Sequence, residues 1–231
     1  MNSIVPITSL GQQLAKLWRD NSGLALVEFA YTLPILLVLG MSGLELSNLA
    51  IVNLRVSQAA MHIADNGSRI GDRDALAAQR IYESDINDIF LGVDIQAGAR
   101  TDLFKNGRVI ISSLEMNDDD GQWIHWQRCM GELNVQSSYG GEGTGSTGTG
   151  FEGMGESGKE LKATDGQAVI FVEIIYDYEP IIGNDYAMRF VNSSRLTSTS
   201  AFNVRGTRDL SGIYQTSPAA PVRSCDTFSS S

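Results

Sequence analysis

An uncharged apolar run near the amino terminus constrains this chain more than any other feature. The run from Phe29 to Leu44 reads FAYTLPILLVLGMSGL and has 16 residues without a charge. As a helix it would be about 24 Å long at ~1.5 Å per residue, shorter than a ~30 Å hydrocarbon core. Adding residues 24–27 before it and 46–52 after it makes a predominantly apolar helix that is long enough to cross a membrane. The sequence therefore predicts a single transmembrane helix.

The extended helix includes two carboxylates in different positions. Glu45 would lie near a membrane surface, where a charge costs little. Glu28 is the fifth residue of the apolar segment that begins at Leu24, and an ionised carboxylate there costs several kcal/mol unless it is paired. Two basic residues precede the segment, Lys16 and Arg19, and they favour an amino terminus in the cytoplasm with the remainder outside.

Composition excludes several classes of protein. Hydrophobic residues make up 42% and charged residues 19% of the chain, which excludes wholesale disorder. The net charge of −10 argues against a nucleic-acid-binding face, because such proteins carry an excess of basic residues. Two cysteines and two histidines would fill a four-ligand zinc site only if all four converged. We therefore predict no metal, no cofactor and no nucleic-acid partner.

Two interpretations of the apolar segment need no special role for Glu28. The first is an uncleaved single-pass anchor that carries an extracytoplasmic binding or enzymatic domain. The second is a secretory signal peptide with its apolar core at residues 31–39 and the small-x-small triplet 40–42 as its cleavage site, so that a soluble domain would begin at Gly43.

A third interpretation accounts for the glutamate. Gly23 ends a polar leader, and the next residues are Leu24-Ala25-Leu26-Val27-Glu28-Phe29. This string resembles the cleavage-and-assembly signature of type IV prepilins. The wider string over residues 20–65 resembles the TadE-like pseudopilins of the tight-adherence (Tad, or Flp) pilus machinery. The residues habitual in that family are Gly23, Ala25, Val27, Glu28, Phe29, Ala30 and Pro34. Type II secretion pseudopilins share the signature, but the Ala-Tyr-Thr-Leu-Pro sequence after Phe29 favours the Tad family.

The resemblance implies a processing and assembly mechanism. A prepilin peptidase at the inner face of the membrane would cut between Gly23 and Leu24, where glycine lets the chain leave helical geometry. The cut creates an ammonium on Leu24, and Glu28 would pair with this group on a neighbouring subunit and so define axial register. Phe29 belongs to the same recognition signature. The implied partners are bacterial inner-membrane lipid, the peptidase, other pilin or pseudopilin subunits and the assembly platform. The implied role is non-enzymatic, in building an adhesive pilus.

Helical periodicity continues beyond the membrane-spanning run. Apolar residues recur at spacings of three and four, and a polar face lies opposite them. The apolar positions are Leu49, Val52, Val56, Ala59 and Ile63, and the polar ones are Arg55, Gln58, His62 and Asp65. One helix is thus predicted from Leu24 to about Asp65, ending at Asn66-Gly67. Pro34 removes one helical hydrogen bond and should kink this pilin-like spine.

The rest of the chain predicts an α+β domain, with a small antiparallel sheet packed on the spine and one extra helix at 73–90 capped by Asp72. The predicted strands are 108–116, 123–129, 169–179 and 195–205. The domain boundaries are a cytoplasmic leader at 1–23, the transmembrane and spine helix at 24–66, the extracytoplasmic domain at 67–216 and a tail at 217–231. Within the domain, residues 140–158 include nine glycines among 19 residues and are expected to form a mobile loop without a core.

Four motifs suggest chemistry that their context does not support. The sequence of residues 153–160 nearly matches the pattern of a phosphate-binding loop, but Glu160 stands where a magnesium-ligating Ser or Thr is needed. The acidic run 118–121 lacks suitable calcium ligands at its ends and is typical of a hairpin turn, with a weak surface calcium site as the alternative. His62 and His125 have no nucleophile or carboxylate at a diagnostic spacing, and Trp123 and Trp126 are more simply core or interface residues.

Cys129 and Cys225 are an even pair in a domain predicted to lie in an oxidising compartment. A disulfide between them would fasten the carboxy-terminal tail to the predicted hairpin and contribute roughly 4 to 5 kcal/mol in the chain-entropy model. The alternative is two unrelated free thiols.

Overall fold

The computed structural model of the chain describes residues 16, 18, 19, 22–71, 78–98, 101–182 and 195–230. The chain divides into two compact units, residues 1–47 and 48–231. Helix α1, Ser22–Arg69, makes up most of the described part of the first unit and is the first element of the second. The predicted continuous helix is confirmed. It runs past the expected end at Asn66-Gly67, because Arg208 donates hydrogen bonds to the carbonyls of Gly67 (3.1 Å) and Ile70 (2.7 Å).

The second unit combines this helix with short helices and two sheets. Helices α2 and α3 span Glu83–Ala97 and Leu103–Asn106. The strands are β1 Gln79–Tyr82, β2 Gly107–Met116, β3 Gln122–Met130, β4 Val169–Asp177, β5 Arg195–Asn203 and β6 Arg208–Tyr214. Four of them form an antiparallel sheet in the order β3-β2-β4-β5, and β1 pairs with β6 in parallel. The predicted α+β class is confirmed.

Two elements differ from the sequence prediction. The helix expected at 73–90 begins only at Glu83, because residues 79–82 form β1 and pair with β6. Its predicted cap, Asp72, lies outside the described residues; the observed start is held by Asp85, whose carboxylate accepts a hydrogen bond from the Tyr82 amide at 2.9 Å. The strand expected at 195–205 ends at Asn203, and β6 was not predicted at all.

The sheet has a layer on each face. The first layer is helical, because the predicted apolar stripe of α1 is buried against the sheet in one core cluster. From α1 this cluster contains Val52, Val56, Ala59 and Ile63, and from β4 it contains Ile170, Val172, Ile174 and Tyr176. Trp126 lies in the same cluster, which confirms it as a core residue.

The second layer consists of the glycine-rich loop and the carboxy-terminal tail. Met154 of the loop is fully buried with Leu114, Ile124 and Phe171, and Cys225 of the tail packs on Ile110 and Ile175. The expectation that residues 140–158 build no core is therefore wrong, because the sheet offers them an apolar face that none of the described helices covers.

Glycine permits this close packing by lacking a Cβ. A Cβ on Gly121 would collide with the carbonyl oxygen of Gly148. Gly145 has a φ of +77°, and a Cβ there would meet the carbonyl oxygen of Gln122. Both positions require a residue that tolerates close backbone approach. The glycine content thus allows the loop to lie directly on the β2–β3 hairpin.

Candidate functional site

The first half of α1 exposes apolar side chains on all sides of the helix. Every described side chain from Gly23 to Met41 is exposed, and the most apolar 18-residue window has a mean hydropathy of 2.0 with none of it buried. A helix that is hydrophobic all round requires a membrane or a bundle of other helices. This helix is long and apolar enough to cross a membrane.

Two serine hydroxyl groups in this helix donate hydrogen bonds to backbone carbonyls of the preceding turn. Ser42 donates to the carbonyl of Val38 at 2.7 Å, and Ser47 donates to the carbonyl of Gly43 at 2.8 Å. These bonds remove the need for water or a partner side chain, as a hydrocarbon environment demands. Pro34 lies inside the helix, where it cannot donate the usual backbone hydrogen bond.

Glu28 is the exception in this segment. Its side chain is exposed, and within the residues that the structure describes its carboxylate has no ion pair or hydrogen bond. Leu24, one helical turn before it, is 68% exposed, and the neighbouring Phe29 is 59% exposed. A carboxylate thus stands among exposed apolar side chains, which is the arrangement that needs a cationic partner once water is removed.

Gly23 lies at the start of the exposed segment, in the first turn of α1. A Cβ placed on this residue would meet no heavy atom within 4 Å. The described chain therefore leaves open space beside the Cα of Gly23. The sequence-predicted residues Gly23, Leu24, Glu28 and Phe29 lie together on the first two turns of one exposed helix.

The acidic turn serves the loop packed beside it. The Asn117 side-chain amide donates to the carbonyls of Gly145 (2.7 Å) and Gly148 (2.8 Å). Asp119 accepts a hydrogen bond from the Gly148 amide at 2.7 Å. The turn joins β2 to β3, so the hairpin prediction is confirmed. Among the described residues, no group of three or more His, Cys, Asp or Glu side chains is placed to hold a metal ion.

The segment resembling a phosphate-binding loop closes on itself instead. Met154 and Leu161 form an isolated antiparallel bridge, with the Leu161 amide donating to the Met154 carbonyl at 2.8 Å. Glu160 accepts a hydrogen bond from the Gly158 amide at 2.7 Å. This backbone donor, which a phosphate would need, is therefore already bonded to a carboxylate. The geometry offers no anion site here.

The structure places His125 beside the carboxylate of Glu115, a contact that the sequence spacing of the two residues did not indicate. The ring Nδ1 lies 2.8 Å from Glu115 Oε2, and the ring of Trp123 stacks on it at 4.3 Å. The hydrogen bond to Glu115 raises the pKa of His125, although burial opposes the shift. Glu115 also accepts a hydrogen bond from Ser113 at 2.6 Å. The serine therefore contacts the carboxylate and not the imidazole, so the arrangement is not that of an activated nucleophile.

The carboxy-terminal tail is attached to the hairpin at several points. Cys129 and Cys225 form a disulfide. The fully buried Arg108 donates to the carbonyls of Gly131, Thr227 and Cys225 at 3.0, 3.1 and 2.6 Å. Burial lowers the pKa of Arg108, and Asp226 partly offsets this effect. Strand spacing alone does not show that a basic residue faces inward, so this role of Arg108 could not be predicted from the sequence.

A second arginine links α2 to the sheet. Arg128 donates from Nε and Nη2 to the Glu83 carboxylate, with contacts of 2.7 to 3.1 Å. A further hydrogen bond joins Arg128 to Glu142 at 2.9 Å. Burial lowers the pKa of Arg128, but these two carboxylates outweigh that effect and raise it. Removing one member of such a buried pair would leave an uncompensated charge, so the group is structural.

Comparison with known proteins found a match to the amino-terminal part of the chain. The model of the TadE-like protein family matches residues 23–65, and the resemblance to that family is thereby confirmed over this range. The matched range begins at Gly23 and includes Leu24, Glu28, Phe29 and Pro34. No curated protein and no solved structure matches the chain.

Proposed function

With residues 23–65 matching the TadE-like family, we propose that the protein is a membrane-inserted pseudopilin, or minor pilin, of a Tad (Flp) pilus. A prepilin peptidase cuts it after Gly23, and the product takes part in assembling an adhesive type IV-like pilus. The amino-terminal residues 1–23 lie in the cytoplasm, and the domain after the membrane helix lies outside the inner membrane. The observation that carries the proposal is Glu28, exposed and unpaired among the described residues of an apolar helix.

In this proposal Glu28 has a role in subunit pairing that a simple membrane anchor does not need. Leu24 and Glu28 are one turn apart on α1, so a new ammonium on Leu24 lies one helical turn before the carboxylate. When two such helices lie side by side, the ammonium of one neutralises the carboxylate of the other. A displaced helix would leave both charges unpaired in an apolar environment, so the pair selects one axial register.

The first experiment determines the amino terminus of the protein in its native membrane by intact-mass and peptide mass spectrometry. Processing after Gly23 produces a chain that starts at Leu24. A start at Met1 or Asn2 would indicate an uncleaved anchor, and a start at Gly43 a secreted domain; either result contradicts the proposal. Gly23→Ala is the matched variant. Since a Cβ at this position meets nothing within 4 Å, loss of cleavage in this variant reports on the peptidase and not on folding.

The second experiment separates charge pairing from membrane insertion. Glu28→Gln and Glu28→Leu should insert at least as well as the unaltered protein but should abolish piliation and recruitment of other pilus subunits. Glu28→Asp keeps the charge and should retain partial activity. Thr32→Val is the control, because it removes a polar group one turn away without altering a charge. Normal piliation by Glu28→Leu would refute the pairing mechanism.

Adhesion is tested by the same variants. Cells with Glu28→Leu should lose surface attachment to the same extent as cells that lack the protein, while Thr32→Val should attach normally. If cells without surface pili attached normally, the proposed role of the protein in pilus-mediated adhesion would be wrong.

A further inference from the structure

The two edges of the four-stranded sheet differ in how they are covered. At the β3 edge, the Ile124 amide donates to the Thr144 carbonyl at 2.9 Å, and the Gly143 amide donates to the Ile124 carbonyl at 2.7 Å. Further along the strand, the Cys129 amide donates to the Arg223 carbonyl at 2.9 Å. The glycine-rich loop and the tail therefore occupy this edge and protect it from pairing with another chain.

The β5 edge has no such cover within the described part of the chain. Among the described strands, β5 has β4 as its neighbour, in a register without a bulge from Arg195–Asp177 to Asn203–Val169. Residues 196–203 include no Lys, no Pro and no acidic residue. Those residues and bulges are the usual means of preventing edge pairing. A nine-residue strand without them is a template for the addition of another strand.

We propose that β5 pairs with β5 of a second copy of this chain, antiparallel and centred on Thr199, to form one continuous sheet across two protomers. The sequence of the strand is suited to this register. Antiparallel pairing about Thr199 uses all nine residues and places Thr199 opposite its own counterpart. The only charged residue of the strand, Arg195, then lies opposite Asn203, so like charges do not meet.

Side chains in this register match on both faces of the sheet. Thr199 pairs with Thr199 on one face, a combination that stabilises neighbouring strands. On the other face Leu196 lies opposite Phe202, and both are partly buried residues packed on the helical core of their own protomer. The pairing would therefore extend this apolar core across the interface. A shift of one residue would put the helical layer of one protomer on the side of the loop layer of the other.

The interface is separate from the amino-terminal segment and does not depend on processing after Gly23. The partner is a second copy of the chain because the residues that match across the interface all belong to the same strand, β5. A different pilus subunit would need its own matching strand, and the cross-linking pattern below distinguishes that case.

Cysteine cross-linking tests the register directly. Both native cysteines form the Cys129–Cys225 disulfide, so a single substitution adds one free thiol. Residues directly opposite each other have Cβ atoms about 4.5–5.5 Å apart, and the lower end of this range reaches the Cβ separation found in disulfides. The full chain with Thr199→Cys, in native membranes and in detergent, should form a covalent homodimer under mild oxidation.

Thr197→Cys is the matched control, since it places a thiol on the same exposed face. In the proposed register residue 197 faces Ala201, so Thr197→Cys should cross-link poorly alone and efficiently when mixed with Ala201→Cys. Equal homodimer yields from Thr197→Cys and Thr199→Cys would overturn the register. A Thr199→Cys adduct with another polypeptide in membranes, and none with a second copy, would overturn the choice of partner.

Charge substitution provides a second test that does not require a thiol. Thr199→Lys and Thr199→Glu each place like charges opposite each other and should lower the dimer fraction in sedimentation several-fold. A mixture of the two variants should restore it, because opposite charges then meet. Circular dichroism of each variant checks that the protomer is folded. An unchanged dimer fraction in folded Thr199→Lys would contradict the proposal.

Discussion

Met154→Ala tests whether the glycine-rich loop is part of the folded core. The Met154 side chain has no exposed surface and contacts a cluster that includes Leu114, Ile124 and Phe171. Truncating a fully buried methionine to alanine costs about 2 to 5 kcal/mol, since it removes apolar burial and leaves a cavity. That is a large fraction of the roughly 5 to 15 kcal/mol that stabilises a typical domain.

Met61→Ala is the matched control for this prediction. It makes the same chemical change on α1, where Met61 is 55% exposed, and should alter stability by about 0.5 kcal/mol or less. The free energy of unfolding is measured by urea denaturation of the full chain in detergent, monitored by tryptophan fluorescence. Hydrogen exchange at the Leu161 amide, which is bonded to the Met154 carbonyl at 2.8 Å, reports on the loop itself.

Equal effects of the two substitutions would refute the reasoning. They would mean that the loop does not contribute to the folded state, as its composition alone suggests. A large effect of Met154→Ala together with faster exchange at Leu161 would instead show that the loop is a layer of the domain.

Two further predictions concern the same domain. Replacing both Cys129 and Cys225 with alanine should lower the free energy of unfolding by about 2 to 5 kcal/mol. It should also speed hydrogen exchange at the Gly131 amide, which donates a hydrogen bond to the Ser229 carbonyl of the tail at 2.8 Å. Unchanged exchange would show that Arg108 alone holds the tail. The pKa of His125 is raised above its ordinary 6.5 by Glu115, so the stabilisation is fully present below pH 6.5 and is lost as the pH rises through the raised pKa. The Tm advantage of the unaltered protein over His125→Gln should therefore shrink as the pH is raised above 6.5, and an advantage that grew with rising pH would contradict the assignment.

The two units of the chain have different relations to the proposed function. Residues 23–65, which match the family model, contain the proposed processing junction, Glu28 and the stripe that packs on the sheet. The remainder supplies the sheet, the loop layer and the attached tail. The proposed β5 interface belongs to this remainder, so its loss and the loss of processing can be observed independently.

The sequence by itself determined the elements whose signals are local. The long helix follows from apolar spacing of three and four residues, and the β2–β3 hairpin follows from alternation around an acidic turn. The candidate site was also identified from the sequence, because a carboxylate in an apolar run is costly wherever the chain folds. Each of these signals arises within a short stretch of residues.

Only the tertiary structure decided the features that join distant residues. Strand β1 forms because β6, more than a hundred residues later, offers its backbone, although residues 79–82 alone favour a helix. The glycine-rich loop is ordered against the sheet because β2 and β4 present an apolar face there, which a single methionine can fill. Arg108 is buried because the tail returns to surround it with carbonyl groups. In each case the stabilising surface belongs to another part of the chain, and local spacing carries no information about it.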